Sequence, residues 1–321
     1  MDHIAPSVVK IPPEAKVKKK SLAQTVRRGA PLLLMLALPV ALVAVFNYGP
    51  IYGLQIAFKD YNLLLGMRDS PWVGLEYFRR FFTNPVALKV LRNTVEISLL
   101  RLAFGFPAPI ILALMISELK DSTFKRVNQT VSYLPHFLSW IIISAIFDAL
   151  LSPFDGIVNR LIEVFGGTPV YFMIEPAWFR AVLICSDIWK GMGWGSILYL
   201  AAITGVDPQL HEAAIMDGAS RLQRIRHITL PAIVPVVSVV LILNMGGILN
   251  GGFDQIFNMY SPRVYDVSDI IDTFVYRMGL VKMEYSFSSA VGLFKSLVGL
   301  VMILVVNGTI RRLGSKENAL W

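Results

Sequence analysis

Apolar residues in this chain come in long, nearly unbroken stretches, not in the alternation of a strand or the one-sided stripe of a soluble helix. Crossing about 30 Å of hydrocarbon at 1.5 Å per residue takes roughly 20 such residues. Stretches near that length occur at about 31–46 (with continuation into the 50s), 94–116, 129–151, 177–202, 232–254 and 286–307. The pattern predicts an all-α membrane protein of six transmembrane helices.

Composition supports this reading. The 321 residues are 55% hydrophobic and only 16% charged, with a mean hydropathy of +0.59, whereas a soluble domain carries about 25% charged residues. The net charge of +8 does not indicate nucleic acid, because it is not spread over a basic face. Lys16, Lys18, Lys19, Lys20, Arg27 and Arg28 crowd a basic segment, residues 1–30, ahead of the first apolar stretch. That placement suits a cytoplasmic anchor, and the apolar run continues into FNYGPIYG with no small-residue cleavage site, as expected of an uncleaved first helix. With that end inside, the inner loops carry more Lys and Arg than the outer ones, so both termini, including a tail at 314–321, are expected in the cytoplasm. The single Cys185 can form no internal disulfide and reads as a small core residue.

Between the first two stretches, EYFRRFFTNPVALKVLRN mixes aromatic and basic residues at helical spacing, which suits a helix lying in the membrane interface. Between the fourth and fifth, the polar segment at about 205–231 carries sharper signals. Asp207 and Pro208 form an N-cap and first-turn pair, and Gly218 can end that helix in the left-handed conformation. Ser220 and Gln223 compose a capping box for a second helix, which Pro231 stops or bends. Leu222, Ile225 and Ile228 fall on one arc of it, an apolar strip that this hairpin cannot bury by itself. HEAA lacks the second imidazole of a zinc-protease helix, since Ile215 stands there, and no G-x-x-x-x-G-K-[ST] phosphate loop occurs anywhere.

Glu212-Ala213-Ala214, Asp217-Gly218-Ala219 and Ile228-Thr229-Leu230-Pro231 resemble the EAA loop of permease subunits from ATP-binding-cassette importers. NYGPIYGLQIAFKDYN, SPWVGLEYFRRFF and FDQIFNMYSPRVYDVSDIIDTFVYRMGL, followed by YSFSSAVGLF, resemble the carbohydrate branch of that family, the type that serves complex oligosaccharides and polysaccharides. The resemblance runs from about 31 to 313, with Leu222 and Ile225 standing where relatives often carry large aromatics. It implies a type I, MetI-like importer fold over 31–313 and a multi-pass subunit of the bacterial inner membrane. Implied partners are a second permease, two ATPase subunits carrying ATP and Mg, and an extracytoplasmic solute-binding protein. This chain itself would bind no cofactor or metal and catalyse no reaction. Residues implied to couple to the ATPase are Glu212, Ala213, Ala214, Asp217, Gly218, Ala219, Leu222, Ile225, Leu230 and Pro231. An acidic sugar such as alginate is the expected cargo.

Charges inside the stretches invite a second reading. Asp187 and Lys190 in the fourth cost about 5–7 kcal/mol at mid-membrane, against about 3–5 kcal/mol returned by its large apolar side chains. They should face inward, where they can pair at i, i+3. Asp187, Trp189, Lys190, Trp194, Asn244, Asp254 and Lys295 are thus candidates for the substrate path or for structural pairs. Arg101 follows the same logic more weakly, with Glu96 nearby. Asp266, Asp269 and Asp272 are expected on a solvated face or docking surface. Two rival classes remain: an intramembrane hydrolase using Ser196 and His136, and an ion-driven secondary transporter using Asp187 or Asp254.

Overall fold

A computed structural model of the chain describes residues 22–313. All regular structure among them is helical apart from one isolated bridge between Lys59 and Trp72. Two compact units divide after Leu54.

The first unit is dominated by α1 (Leu22–Val43), which continues through a wide turn (Ala44–Tyr48) into a 3-10 segment (Gly49–Phe58). It begins within the basic segment assigned to residues 1–30; residues 1–21 and the 314–321 tail lie outside the described residues. Residues 30–52 are all exposed. By length and composition this helix can cross a membrane.

The second unit opens with α2 (Gly66–Asp69), α3 (Glu76–Thr83) and α4 (Pro85–Leu100). Asn84 separates the last two, its side chain accepting the Val86 amide at 2.9 Å ahead of Pro85 at the first helical position. The expected interfacial helix is therefore α3 alone, since residues 85–93 already belong to the next span. Nor does α3 simply lie on lipid. Phe81 is buried against Phe287 and Phe294 of the last helix, and Arg80 pairs with Glu284 at 2.8 Å.

From α4 the helix passes through a wide turn (Arg101–Gly105) into α5 (Pro107–Ser117). The third expected span is not a single helix. α6 (Thr123–Tyr133) and a 3-10 turn (Leu134–Phe137) meet α7 (Trp140–Leu151) at a bend of 107°. Pro135 cannot donate its ladder bond, and Ser139 restarts the helix by accepting the Ile142 amide. α8 (Ile157–Val164) precedes α9 (Pro176–Thr204), and α10 (Pro208–Met216) and α11 (Arg221–Arg224) follow it. α12 (Leu230–Gly246), α13 (Phe253–Met259), α14 (Tyr265–Ser268), α15 (Ile271–Tyr276) and α16 (Tyr285–Leu313) complete the unit.

Among the described residues, four helices are long and apolar enough to cross a membrane: Gly29–Phe58, Pro85–Ser117, Arg221–Gly246 and Tyr285–Arg312. A fifth is gained if the bent pair forms one span. α9, the fourth span expected from sequence, has the length, but Arg180, Asp187, Lys190 and its glycines dilute its apolar character. The core packs around it. Ile97, Phe179, Leu183 and Ile256 join it to α4 and α13, while Ala113, Ile116, Tyr199 and Leu200 join it to α5 and α12. Cys185 is exposed on its outer side and is not a core residue.

At the α9–α6 crossing, a Cβ on Gly193 would fall 1.8 Å from the Ser132 carbonyl oxygen. Gly193→Ala should therefore cost roughly 1–3 kcal/mol through forced backbone separation, seen as an earlier thermal unfolding midpoint of the detergent-solubilised protein. Gly191→Ala, whose Cβ meets nothing within 4 Å, should not lower the midpoint.

Candidate functional site

Between α9 and α12 the chain turns through residues 205–231. The Asp207 carboxylate accepts the Gln209 amide at 3.0 Å, and Pro208 occupies the first helical position, where no amide is needed. α10 ends at Gly218, which has φ +80°. Ala219 donates to the Ala214 carbonyl at 2.8 Å and Gly218 to that of Ile215 at 3.0 Å, the paired bonds of a Schellman ending. Ser220 and Gln223 then close their capping box, at 2.7 and 3.4 Å.

The second helix departs from expectation. α11 is one turn long and merges through a wide turn (Ile225–Thr229) into α12, so Pro231, in the first turn of α12, lies inside a continuous Arg221–Gly246 helix that it does not stop. The wider turn leaves room ahead of a residue that cannot donate. Met216 and Leu222 are 86% and 74% exposed at the corner, while Ile225 and Ile228 are half-buried. The apolar arc is thus open only at its tip. Glu212, Ala213, Asp217, Gly218 and Pro231 are also exposed, and Ala214, Ala219 and Leu230 are half-buried. Glu212 forms no ion pair among the described residues.

A cavity of about 530 Å³ opens between the α4–α5 junction, α9, α12 and residues 247–250. Asp187, Trp194 and Asn244, three of the candidates from sequence, line it, and so does Arg101. The Trp194 ring stacks on His136 with centroids 4.6 Å apart and planes 5° from parallel. Its indole remains 48% exposed. Arg101 donates to the fully buried Gln255, whose own amide donates to the Leu183 carbonyl and the Ser186 hydroxyl, each at 2.7 Å.

The other candidates lie elsewhere. Lys190 does not pair with Asp187. Its ammonium donates to the His136 carbonyl at 2.8 Å and to that of Leu138, bracing the α6–α7 bend, and it lies over the Trp140 ring. Trp189 packs edge-on against Phe147 of α7. Helical period explains the split, since residues 187, 191, 194, 195 and 198 share the cavity face of α9 while 189, 190 and 193 turn towards α6 and α7. Asp254 is outside the fifth span, exposed in the first turn of α13, because that span ends at Gly246 before the run GGILNGG. Lys295 pairs with Asp272 beside a second cavity of about 560 Å³ between α12, α15 and α16.

Two of the three clustered aspartates are not solvated. Asp269 is buried and grips Arg277 through both carboxylate oxygens at 2.8 and 2.5 Å, holding that guanidinium's pKa above its usual range. Asp266 alone is exposed, paired with Lys89 at 2.5 Å. Glu96, near Arg101 in the sequence, is not its partner, being taken by Arg92 and Arg180 at 2.6 and 2.5 Å. Gln255 and Ser98 were not anticipated at all. A glutamine among the apolar residues of FDQIF was the available signal for the first.

Residues 105–316 match the family described as binding-protein-dependent transport system inner membrane component. The chain belongs to that family. It is a permease subunit of an ABC transporter and not an enzyme. Consistently, the Ser196 hydroxyl is turned back to the Gly193 carbonyl at 2.6 Å and His136 is stacked on Trp194. The polygalacturonan/rhamnogalacturonan transport system permease protein YteP of Bacillus subtilis (strain 168) is 42% identical over 94% of each chain. One chain of a bacterial ABC transporter involved in the import of the acidic polysaccharide alginate superposes with a TM-score of 0.84 at 40% identity, covering 92% of this permease and 99% of that chain. A bacterial alginate ABC transporter in complex with its alginate pentasaccharide-bound periplasmic protein gives 0.85 at the same identity and coverage. The MetI-like permease fold implied by the EAA-type loop is thereby established.

Lys190 of this permease braces the α6–α7 bend. Lys190→Met should leave the half-buried His136 and Leu138 carbonyls without this donor at the bend, at about 1 kcal/mol for each. Thermal unfolding of the solubilised protein should show the loss as a lowered midpoint.

Proposed function

We propose that this permease forms half of the translocation path of an ATP-driven carbohydrate importer in the bacterial inner membrane, working with a second permease. An extracytoplasmic solute-binding protein delivers the cargo, an acidic oligosaccharide or polysaccharide. Two separate ATPase subunits carry ATP and Mg, and the hairpin 205–231 is the part they grip. In this reading both termini face the cytoplasm, six segments cross the membrane, and α9 and the bent α6–α7 pair supply the spans that apolar length alone does not mark.

The hairpin corner carries the argument. Three local devices fix its shape, yet they hold Met216 and Leu222 out with nothing from this chain covering them among the described residues. A rigid corner with bare apolar side chains and an uncommitted Glu212 carboxylate suits a protein groove offering apolar lining and a basic group. Small side chains at Ala213 and Ala214 permit close approach. Acidic cargo is supported by the alginate transporter's likeness over nearly the whole chain and by the polar and aromatic lining of the 530 Å³ cavity.

The corner can be tested at Gly218, where an added Cβ would meet nothing within 4 Å but φ is held at +80°. Proline cannot adopt that angle, whereas asparagine tolerates it. In proteoliposomes containing the full importer, Gly218→Pro should abolish binding-protein-stimulated uptake, through uncoupled ATP hydrolysis or loss of the ATPase subunits. Gly218→Asn should retain most of it. Uptake by Gly218→Pro at the level of the unmodified importer rules out the hairpin as the coupling element.

A further inference from the structure

One cation on the cavity wall is held in place more firmly than its own neutralisation requires. Arg101 opens the wide turn between α4 and α5, a distortion that often marks functional positions. Its guanidinium reaches Gln255, a side chain with 0% exposure that is itself fixed to α9 through Leu183 and Ser186. On another side the guanidinium lies against the backbone of Gly252, where a Cβ would fall 2.3–2.7 Å from its atoms. Residues of α9, α13 and the loop before α13 thus fix the direction of this one side chain.

Its charge is not met to the same degree. Nε lies 3.8 Å from the nearer Asp187 oxygen, beyond hydrogen-bonding distance, and has no hydrogen-bond partner. One turn earlier, Ser98 lines the same cavity, and its buried hydroxyl is also without a partner. Buried polar atoms in native proteins are nearly always satisfied, so two neighbouring exceptions call for an explanation. Asp187 is loosely associated and one-third exposed, a counter-ion that can be exchanged. A planar guanidinium with fixed orientation is the side chain best suited to a carboxylate.

We infer that Arg101 is the charge-selecting residue of the path, taking the carboxylate of a uronic-acid unit in transit, with Ser98 adding a hydroxyl and Asp187 giving way as counter-ion. The inference rests on the acidic-saccharide reading above and adds the residue that recognises the acid. An oriented cation whose resident counter-ion is distant makes the exchange shallow, so the cargo is admitted without being trapped. Lys190 and Lys295, the other cations of the expected path, do not compete for this role, since each already serves a structural partner.

The test uses the complete importer in proteoliposomes, supplied with binding protein loaded with a uronic-acid trisaccharide. Arg101→Gln should lower the maximal uptake rate about 10- to 100-fold, the range expected for loss of a charge-assisted hydrogen bond. The loaded binding protein's half-saturating concentration should stay unchanged, because docking occurs elsewhere. Arg101→Lys should recover part of the rate. The deciding variant is Arg101→Gln combined with Asp187→Asn, which removes the stranded carboxylate along with the cation. Uptake should stay low in it even as the thermal midpoint returns towards that of the unmodified protein. Restored uptake in the double variant overturns the inference, since Arg101 would then serve only to balance Asp187. An unmodified importer that hydrolyses ATP with its own binding protein yet moves no uronate overturns the cargo reading itself, and this inference with it.

Discussion

Helix α9 brings Arg180, Asp187 and Lys190 into a bundle whose surroundings are apolar, and lipid offers none of them a partner. Each ion must therefore be met by protein, and each is met by a different element. Arg180 reaches Glu96 and Asn93 on α4 and the Val267 carbonyl in α14. Lys190 holds the carbonyls at the α6–α7 bend. Asp187 faces Arg101 at the α4–α5 junction. The charges that lower the helix's apolar character are the ones that order the rest of the unit around it. Replacing them by apolar residues would ease insertion but release three neighbours at once.

Small residues complement those ions. Where α9 crosses α6 the backbones meet at Gly193, and where α16 crosses α12 a Cβ on Gly299 would lie 2.5 Å from the Gly246 carbonyl oxygen. Apolar association gains little between helices already in lipid, so close backbone approach and buried polar bonds carry more of the packing. Both means of attachment leave one side of the cavity bordered by rigid, ion-fixed helix and the other by tightly apposed helix.

How far the sequence spoke depended on the range of the interaction. Asp207, Pro208, Gly218, Ser220 and Gln223 act over two to five residues, and their geometry was legible because the partners are close in the chain. Apolar length located α1, α4–α5, α12 and α16 for the same reason. Partner choice among charges was not legible. Asp187 sits three residues from Lys190, but both look to elements more than fifty residues away, and Glu96, which seemed to answer Arg101, is taken by Arg92 and Arg180. The bend at Pro135 and Ser139 was hidden because the apolar run continues across it. Asp254 was misassigned in the same way, by hydropathy that outlasts the helix at Gly246.

Hairpin and cavity are linked by the chain itself. α9 leads into residue 205 after supplying Asp187 and Trp194 to the cavity wall, and the helix beginning at Arg221 supplies Asn244 before it ends at Gly246. α9 contains no proline between its cavity residues and the hairpin, whereas the Arg221–Gly246 helix carries Pro231, Pro235 and the wide turn at Ile225–Thr229. A push at the corner, if the hairpin is gripped as proposed, would therefore enter one stiff arm and one that can flex. Under the proposed coupling role, unequal arms would convert a displacement of the hairpin into a change of angle between α9 and α12, the two helices that share the cavity.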